Sequence, residues 1–285
     1  MTAMTEERAP GQAPETPPAP AWFSFGRVAA MCLRHFYVLK GSWPRLIEMA
    51  YWPTMQMIIW GFFSTFLYRN STWIASAFGV LLAAVMLWDV LFRGQLGVSM
   101  SFLEELWSRN LGHLFVTPLR PYEWMIALLT MSVIRVAIGV LPAMLLAIPL
   151  YHYSIFSLGL PLIGFFTLLL VMGWALGLLI DALLLQHGLG AESLAWLAVF
   201  LLAPASAVYY PVATLPRWLQ DLALVLPSAH VFEGMRAVMF DHVFRLDHFI
   251  AAALLDIVYL AIGAVVFLDA FRRARRRGAL LQTGE

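Results

Sequence analysis

Three ionisable side chains interrupt long apolar stretches of the sequence: Asp89, Arg135 and Asp256. Because a charge inside a bilayer is costly, such groups are functional candidates and are expected to have a partner. Arg93 follows Asp89 at the spacing of neighbours on one helix face, which predicts a local ion pair. Arg135 and Asp256 are a possible pair between two helices. Alternatively, Arg135 faces a polar path or extends toward a lipid headgroup.

No set of residues predicts covalent catalysis or a metal centre. The seven histidines are scattered, and Asp241-His242 and Asp247-His248 lack the short histidine spacing of zinc motifs. No Gly-x-Ser-x-Gly elbow is present. The single cysteine, Cys32, excludes an intrachain disulfide and a multi-cysteine metal site. We therefore expect no catalytic residue and no metal ligand.

The composition indicates that lipid surrounds most of the chain. Of the 285 residues, 61% are hydrophobic and 12% are charged, whereas soluble domains average about 45–50% and about 25%. This balance excludes a cytosolic enzyme, a disulfide-built secreted module and a disordered protein. The predicted fold class is an all-α polytopic membrane protein.

Six windows contain the roughly 20 mostly apolar residues that cross about 30 Å of hydrocarbon: 46–67, 73–92, 124–150, 159–181, 189–208 and 249–271. The predicted organisation is a disordered Pro-rich tail (1–21), an amphipathic interface helix (22–43), a six-helix transmembrane domain (44–271) and a basic cytoplasmic tail (272–285).

Lysine and arginine placement predicts the orientation. With both termini in the cytoplasm, the inner segments hold thirteen of these residues and the outer segments hold four, which are Arg69, Arg217, Arg236 and Arg245. An odd number of spans would place one basic terminus outside. We therefore expect both termini to be cytoplasmic.

Between the second and third windows, residues 104–124 read EELWSRNLGHLFVTPLRPYEW. Leucines at helical spacings around the acidic residues predict a short amphipathic helix over Glu104–Val116 at the inner surface. Thr117-Pro118 ends this helix, and Pro121 begins the next one in a favourable first-turn position. Such a stiff link would transmit a push from the short helix to a span. A plain connecting helix is the alternative.

Before the last window, LPRWLQDLALVLPSAHVFEGMRAVMF predicts two short apolar-faced helices with Pro227 at the turn. Each is about 11–12 residues, or roughly 17 Å, which is about half a bilayer. A hairpin that dips into the outer leaflet and plugs a pathway fits these lengths. A helical cap that lies flat on the outer surface fits the composition equally well.

These two stretches carry a resemblance. The first contains paired glutamates, a leucine-rich turn, Thr117-Pro118-Leu119-Arg120 and Glu123; the second contains Leu215-Pro216-Arg217-Trp218-Leu219, Leu226-Pro227 and Glu233-Gly234-Met235-Arg236. In this order, with six spans, they resemble the signatures of the type-2 ATP-binding-cassette (ABC) permeases. The chain departs from that pattern at Arg109-Asn110, where glycine-threonine is usual, and at Pro227-Ser228, where asparagine-proline is common.

The resemblance implies a half-transporter of the bacterial inner membrane that pairs as a dimer and exports an amphipathic glycan, lipid-linked or drug-like substrate. A separate ATPase subunit would bind the ATP and Mg, membrane lipid would be a further partner, and no nucleic acid is expected. The implied coupling helix contains Glu104, Glu105, Leu111, Leu114, Thr117, Pro118, Arg120 and Glu123. The implied outer gate hairpin contains Leu215, Pro216, Trp218, Leu219, Pro227, Glu233, Gly234 and Arg236.

The sequence agrees with an ATPase in a separate chain. A phosphate-binding loop ends in Gly-Lys-Ser/Thr, but the only lysine, Lys40, precedes Gly41-Ser42. Two alternatives remain at this point. A lipid-modifying membrane enzyme requires polar groups that converge at one depth. A secondary transporter is expected to have an inverted repeat and broken midplane helices, and the sequence pattern indicates neither.

Overall fold

The computed structural model describes residues 22–70, 78–114 and 116–278, and this part of the chain contains helices and turns but no strand. Its α-helices are α1 (Phe25–Lys40), α2 (Trp43–Asn70), α3 (Phe78–Trp107), α4 (Leu111–Leu114), α5 (Pro121–Tyr151), α6 (Leu160–His187), α7 (Leu194–Leu202), α8 (Arg217–Leu224), α9 (Pro227–Arg236) and α10 (Leu246–Arg276). The all-α prediction is confirmed for these residues. The predicted disordered tail (1–21) and the last part of the basic tail (279–285) lie outside the described residues.

Four helices in the described ranges are long and apolar enough to cross a membrane: α3, α5, α6 and α10. Helix α2 has 28 residues but is more polar and is not among them. The first, third, fourth and sixth predicted windows fall on α2, α5, α6 and α10. The second window falls on α3, although residues 73–77 lie outside the described part. Helix α5 continues through Pro142.

The fifth predicted window does not form one helix. Residues 189–208 contain a turn of 3-10 helix, the nine-residue α7 and a series of turns. At 1.5 Å per residue α7 is about 14 Å long, less than half of the roughly 30 Å of hydrocarbon. The prediction of a single spanning helix here was wrong. Pro204 and Pro211 give the physical reason, because proline lacks an N–H and clashes with the preceding helical turn.

Helices α3 and α6 pack together at the centre of the bundle, with α5 against α3 and α10 against α6. Glycines make the approach of α6 to α3 possible: a Cβ at Gly173 would lie 2.7 Å from the carbonyl oxygen of Leu91. Gly177 likewise faces α3, where a Cβ would lie 2.8 Å from Cβ of Val98. These small residues therefore allow close packing within the chain.

The two ends of the bundle differ. At one end, Trp124 near the start of α5 contacts Phe102 of α3 and both Phe267 and Phe271 of α10. Helix α1 packs on α5 and α2, and the aromatic cluster and the buried face of α1 share one apolar core. We call this the α1 end. The opposite end carries α8, α9 and the start of α10, and we call it the hairpin end.

Candidate coupling site

Two carboxylates near the end of α3 join four helices. Glu104 accepts hydrogen bonds from Arg45 of α2 (2.7 Å) and from Arg135 of α5 (2.9 Å to each carboxylate oxygen). Glu105 accepts a hydrogen bond from Arg34 of α1 at 2.9 Å. We call these five residues the carboxylate hub. Because Glu104, Glu105 and Arg135 are almost entirely buried, the hub links α1, α2, α3 and α5 inside the protein.

His35 of α1 lies against the hub and is only 1% exposed. Its Nδ1 is 3.9 Å from Glu104, and its Nε2 is 3.8 Å from Glu105. Burial lowers the pKa of His35 to about 4, and the charges of Arg135 and Arg34 act in the same direction. The two carboxylates do not reverse this effect, because arginines already share their charge. His35 is therefore neutral at pH 7.

Arg135 does not pair with Asp256, as considered from the sequence. Its guanidinium group reaches Glu104 at the α1 end. Asp256 is buried in α10, and neither of its carboxylate oxygens has a hydrogen-bond partner among the described residues. Of the alternatives left open for Arg135, the pair with Asp256 is not formed, because the long arginine side chain reaches a carboxylate nearer the end of the bundle.

Asp89 and Arg93, the predicted local pair, attract each other electrostatically but do not form a close salt bridge. No ion pair joins these residues in the described part of the chain, and Oδ1 of Asp89 is buried without a hydrogen-bond partner. The guanidinium carbon of Arg93 lies 5.8 Å from the centroid of the Phe92 ring. Arg93 thus lies over the Phe92 ring and remains within electrostatic reach of Asp89 and Glu48.

The helix predicted over Glu104–Val116 is interrupted. Helix α3 continues to Trp107, Arg109 adopts a left-handed conformation with φ of 52°, and α4 is a single turn. The N–H groups of Arg109 and Asn110 bond to the carbonyls of Leu106 and Glu105 at 3.0 and 3.1 Å, which is the pattern of a Schellman motif. Glu104 and Glu105 therefore belong to the end of α3, and the prediction of one separate short helix was wrong.

The surface of this segment is formed by other residues than the glutamates. Leu111 and Leu114 are buried against the core at the α1 end. The exposed residues are Trp107, Ser108, Arg109, His113, Val116, Thr117 and Pro118, and we call them the coupling surface. A protein that docks at this end of the bundle can touch the coupling surface, whereas the hub lies behind it.

Glu123 ties α1 to the start of α5. Its carboxylate is fully buried and accepts hydrogen bonds from the Arg27 side chain at 2.8 and 2.6 Å and from the Ser24 amide at 2.8 Å. It also accepts a hydrogen bond from the Arg120 amide at 3.0 Å, which completes a capping box at the first turn of α5. Pro121 is the first residue of α5, so the predicted helix start is confirmed.

At the hairpin end, Glu233 and Arg236 of α9 hold the chain that follows α7. Arg236 donates hydrogen bonds to the carbonyls of Ala207 (3.0 Å) and Val208 (3.3 Å) and to Glu233 (3.1 Å). Glu233 accepts a hydrogen bond from the amide of Val212 at 2.6 Å. We call Glu233 and Arg236 the hairpin clamp. It satisfies polar backbone groups that the non-helical segment leaves without helical partners.

The two short helices predicted before the last window are confirmed as α8 and α9, which meet at an angle of 97°. Pro227 is the first residue of α9. The predicted gate residues divide between the two helices: Pro227, Gly234 and Arg236 are buried, whereas Pro216 and Trp218 are exposed and Leu215, Leu219 and Glu233 are half-buried. Helix α9 packs against α6 and α10, so α9 belongs to the bundle and α8 lies on its surface.

A cavity of about 320 Å³ adjoins the carboxylate hub between α2, α3, α5 and α7. Arg45 and Arg135 belong both to the hub and to the cavity wall. The other polar residues of the wall are Glu48, Gln56 and Arg93, and its aromatic residues are Trp52, Phe92, Trp196 and Phe200. A movement of Glu104 would therefore displace two side chains that line the cavity.

Residues 54–270, which are more than half of the chain, match the family profile described as ABC-2 family transporter protein. The chain belongs to the ABC-2 transporter family. This membership confirms the resemblance seen in the sequence and makes the chain a membrane-embedded multi-pass permease rather than an enzyme. The family also implies an ATPase partner. No curated protein matches the permease at a significant level.

The left-handed conformation gives a physical meaning to Arg109, where the resemblance to type-2 ABC permeases led us to expect glycine. A left-handed conformation costs a residue with a Cβ about 1–2 kcal/mol, and glycine avoids this cost. We expect Arg109→Gly to raise the free energy of unfolding by about 1 kcal/mol, measured by thermal unfolding in detergent. Arg109→Ala is the matched control because it removes the charge but keeps the Cβ. Equal stability of the two variants would contradict this explanation.

Sequence reasoning missed the hub partners Arg34 and Arg45 and the position of Arg93 over the Phe92 ring. The hub partners lie 71 and 59 residues away from their glutamates along the chain, so no local spacing links them. The only sequence signal was charge balance, because basic residues near the start of α2 and in α1 face an acidic pair in a chain with few charges. The helical spacing of Asp89 and Arg93 indicated their electrostatic attraction but not the absence of a close salt bridge.

Proposed function

We propose that this permease is the membrane subunit of an ABC exporter that moves an amphipathic substrate across a bacterial inner membrane. A separate ATPase subunit binds and hydrolyses ATP with Mg²⁺, and two copies of the permease pair to enclose the pathway. Family membership supports the transport role and the ATPase partner. The dimer, the direction and the membrane are inferences from the type-2 ABC resemblance.

The orientation follows from charge. Thirteen lysine and arginine residues in the segments assigned to the cytoplasm, against four in the outer segments, support an orientation with the α1 end inside. Helices α2, α3, α5, α6 and α10 supply five crossings. Helix α7 together with the non-helical segment after it supplies the sixth, which returns the chain to the outer side before α8. In this arrangement α1 lies at the inner interface, and the hairpin end faces outward.

The carboxylate hub is the observation that carries the mechanism. Glu104 sits in the last turn of α3, directly before the coupling surface, and holds Arg45 and Arg135, which line the cavity. When the ATPase subunits close, they push the coupling surface and the end of α3, and the buried ion pairs pass that displacement to α2 and α5. A ligand can drive such a change only if it binds the two states differently, and closure of the ATPase on ATP supplies that difference.

The hairpin clamp suggests how the outer side stays closed. Helix α9 lies between α6 and α10, and its Glu233 and Arg236 hold the non-helical part of the sixth crossing. Rearrangement of this contact would open the outer side while the long helices remain intact. The buried position of α9 favours a hairpin that re-enters the outer leaflet over one that lies flat.

The test is to co-express the permease with candidate ABC ATPase subunits and to measure complex formation and ATP hydrolysis after purification. We expect a stable complex that Val116→Asp weakens at least about 10-fold, because it places a charge on the exposed coupling surface. Trp218→Ala is the control, since Trp218 is exposed at the hairpin end. If the permease is purified as a monomer and binds no ATPase, the proposal fails.

A further inference from the structure

The cavity beside the hub contains a guanidinium group that forms no hydrogen bond or close salt bridge with the described residues. Arg93 lines the cavity, and its side chain makes no ion pair or hydrogen bond within residues 22–70, 78–114 and 116–278. Its Nε is buried without a hydrogen-bond partner. The carboxylates of Asp89 and Glu48 attract this cation without a hydrogen bond to it, and a buried cation that lacks hydrogen-bonded oxygen atoms costs free energy. Such a group is therefore expected to have a ligand that the isolated chain does not provide.

The charges around the cavity favour an anion. Three arginines, Arg45, Arg93 and Arg135, line it together with one carboxylate, Glu48. Glu104 of the hub binds Arg45 and Arg135, whereas the carboxylates of Glu48 and Asp89 act on Arg93 only through longer-range attraction. The two hub arginines, Arg45 and Arg135, already form ion pairs with Glu104. Arg93 is the cavity cation that remains available to a ligand.

The rest of the wall is suited to an apolar group. Trp52, Trp196 and Phe200 are about half exposed at the rim, and Phe92 contacts Trp196 and Phe200 with ring centroids 6.3 and 5.4 Å apart. Aromatic rings offer a large apolar area at a low cost in conformational entropy. A volume of about 320 Å³ is at the lower end of the range of small-molecule sites. It can hold a headgroup and the adjoining part of a chain but not a whole lipid.

We infer that this cavity binds the phosphate-type headgroup of an anionic amphiphile, with Arg93 as the residue that binds the anion. The guanidinium group matches phosphate oxygens with two parallel hydrogen bonds, while Trp52, Trp196 and Phe200 contact the apolar part of the ligand next to the headgroup. This inference rests on the proposed function, since it makes the cavity the loading site of the exporter on its cytoplasmic side. The same chemistry is found in a transported amphiphile and in a resident bilayer lipid.

The first experiment uses the purified permease in detergent, without an ATPase subunit. Binding of dihexanoyl phosphatidate and of dihexanoyl phosphatidylcholine is compared, because the two probes share their chains and differ in headgroup charge. We expect phosphatidate to bind at least about 10-fold more tightly. Arg93→Gln is expected to lower the affinity for phosphatidate about 10-fold, since hydrogen bonds to charged groups are stronger than those between neutral groups. Arg93→Lys should retain part of this affinity, because lysine keeps the positive charge but cannot form the two parallel hydrogen bonds of a guanidinium group.

Two further variants separate the ligand contact from general effects. Arg272→Gln removes a guanidinium group that is exposed at the α1 end, and we expect it to leave both affinities unchanged. Trp52→Ala is expected to lower the affinity for both probes by the same factor, because it removes an apolar contact that both of them make. The thermal stability of Arg93→Gln should stay close to that of the wild type, since the variant loses no hydrogen bond or close salt bridge. Equal binding of the two probes, or unchanged phosphatidate binding by Arg93→Gln, would overturn the inference.

The second experiment identifies the source of the headgroup. In proteoliposomes that contain the permease and its ATPase, ATP releases a bound phosphatidate if the site loads cargo and leaves it bound if the site holds a resident lipid. Either result supports a headgroup site. Because the first experiment needs no ATPase, failure to bind phosphatidate overturns the site alone, whereas failure to bind an ATPase overturns the proposed function alone.

Discussion

Replacing Glu104 by glutamine is expected to lower the free energy of unfolding of the permease by about 3–5 kcal/mol. The change removes the negative charge that Arg45 and Arg135 share. Arg45 is partly exposed and can turn toward water, but the Arg135 side chain is 6% exposed and keeps a charge without a counter-ion. Thermal unfolding in detergent should show a fall in Tm of about 10 °C, given about 2–4 °C per kcal/mol for a chain of this size.

The matched control for this prediction is Asp269→Asn, which breaks the ion pair of Asp269 with Arg273, exposed near the end of α10. Exposed pairs contribute about 0–1 kcal/mol, so the Tm of this variant should barely change. In the double variant Glu104→Gln/Arg135→Gln the unpaired charge is gone, and at least half of the lost stability should return. A Glu104→Gln variant as stable as the wild type, or a double variant no more stable than Glu104→Gln, would show that the ion pairs of the hub do not stabilise the fold.

The parts of the fold that sequence reasoning predicted are those that depend on local composition. Long apolar windows identified α5, α6 and α10, because a helix is the way for such a segment to satisfy its backbone in lipid. Pro121 and Pro227 marked two helix starts, because proline at the first turn loses no intrahelical hydrogen bond. These features required no knowledge of neighbouring helices.

The parts that failed depend on packing. Hydropathy measures side chains, so it could not separate a spanning helix from the short α7 and the apolar turns after it, although Pro204 and Pro211 were visible. The end of α3 was misjudged because a left-handed arginine at position 109 is less common than glycine. The partner of Arg135 could not be chosen, because Glu104 and Asp256 were both candidates and only the arrangement of the helices decides between them.

The hub and the cavity illustrate two opposite uses of buried charge in one region. Arg135 has a carboxylate partner and serves to hold α3 and α5 together. Arg93 also lines this cavity, has no hydrogen-bonded carboxylate in the described residues and is available to a ligand. Stability and function therefore predict opposite responses to removing the two arginines. Loss of Arg135 should destabilise the permease, whereas loss of Arg93 should affect binding only.

Replacing Arg236 by methionine is expected to open the non-helical segment at the hairpin end. The change leaves the buried carbonyls of Ala207 and Val208 without the donor that they have in the wild type. Each lost partner costs about 1–3 kcal/mol. Ala207 also has a left-handed φ of 49°, a strained conformation that surrounding contacts must maintain. Together these effects should favour local opening by about 3 kcal/mol, which accelerates amide hydrogen exchange of Val212 about 100-fold.

Arg245→Met is the matched control, because Arg245 lies at the same end and pairs with Asp247 in solvent at 3.0 Å. Such an exposed pair contributes little, so exchange in residues 207–212 should keep its wild-type rate. Glu233→Gln should act in the same direction as Arg236→Met but more weakly, since the amide oxygen can still accept the Val212 N–H. If exchange in this segment is as slow in Arg236→Met as in the wild type, the clamp does not hold the sixth crossing and the outer side must be closed by other contacts.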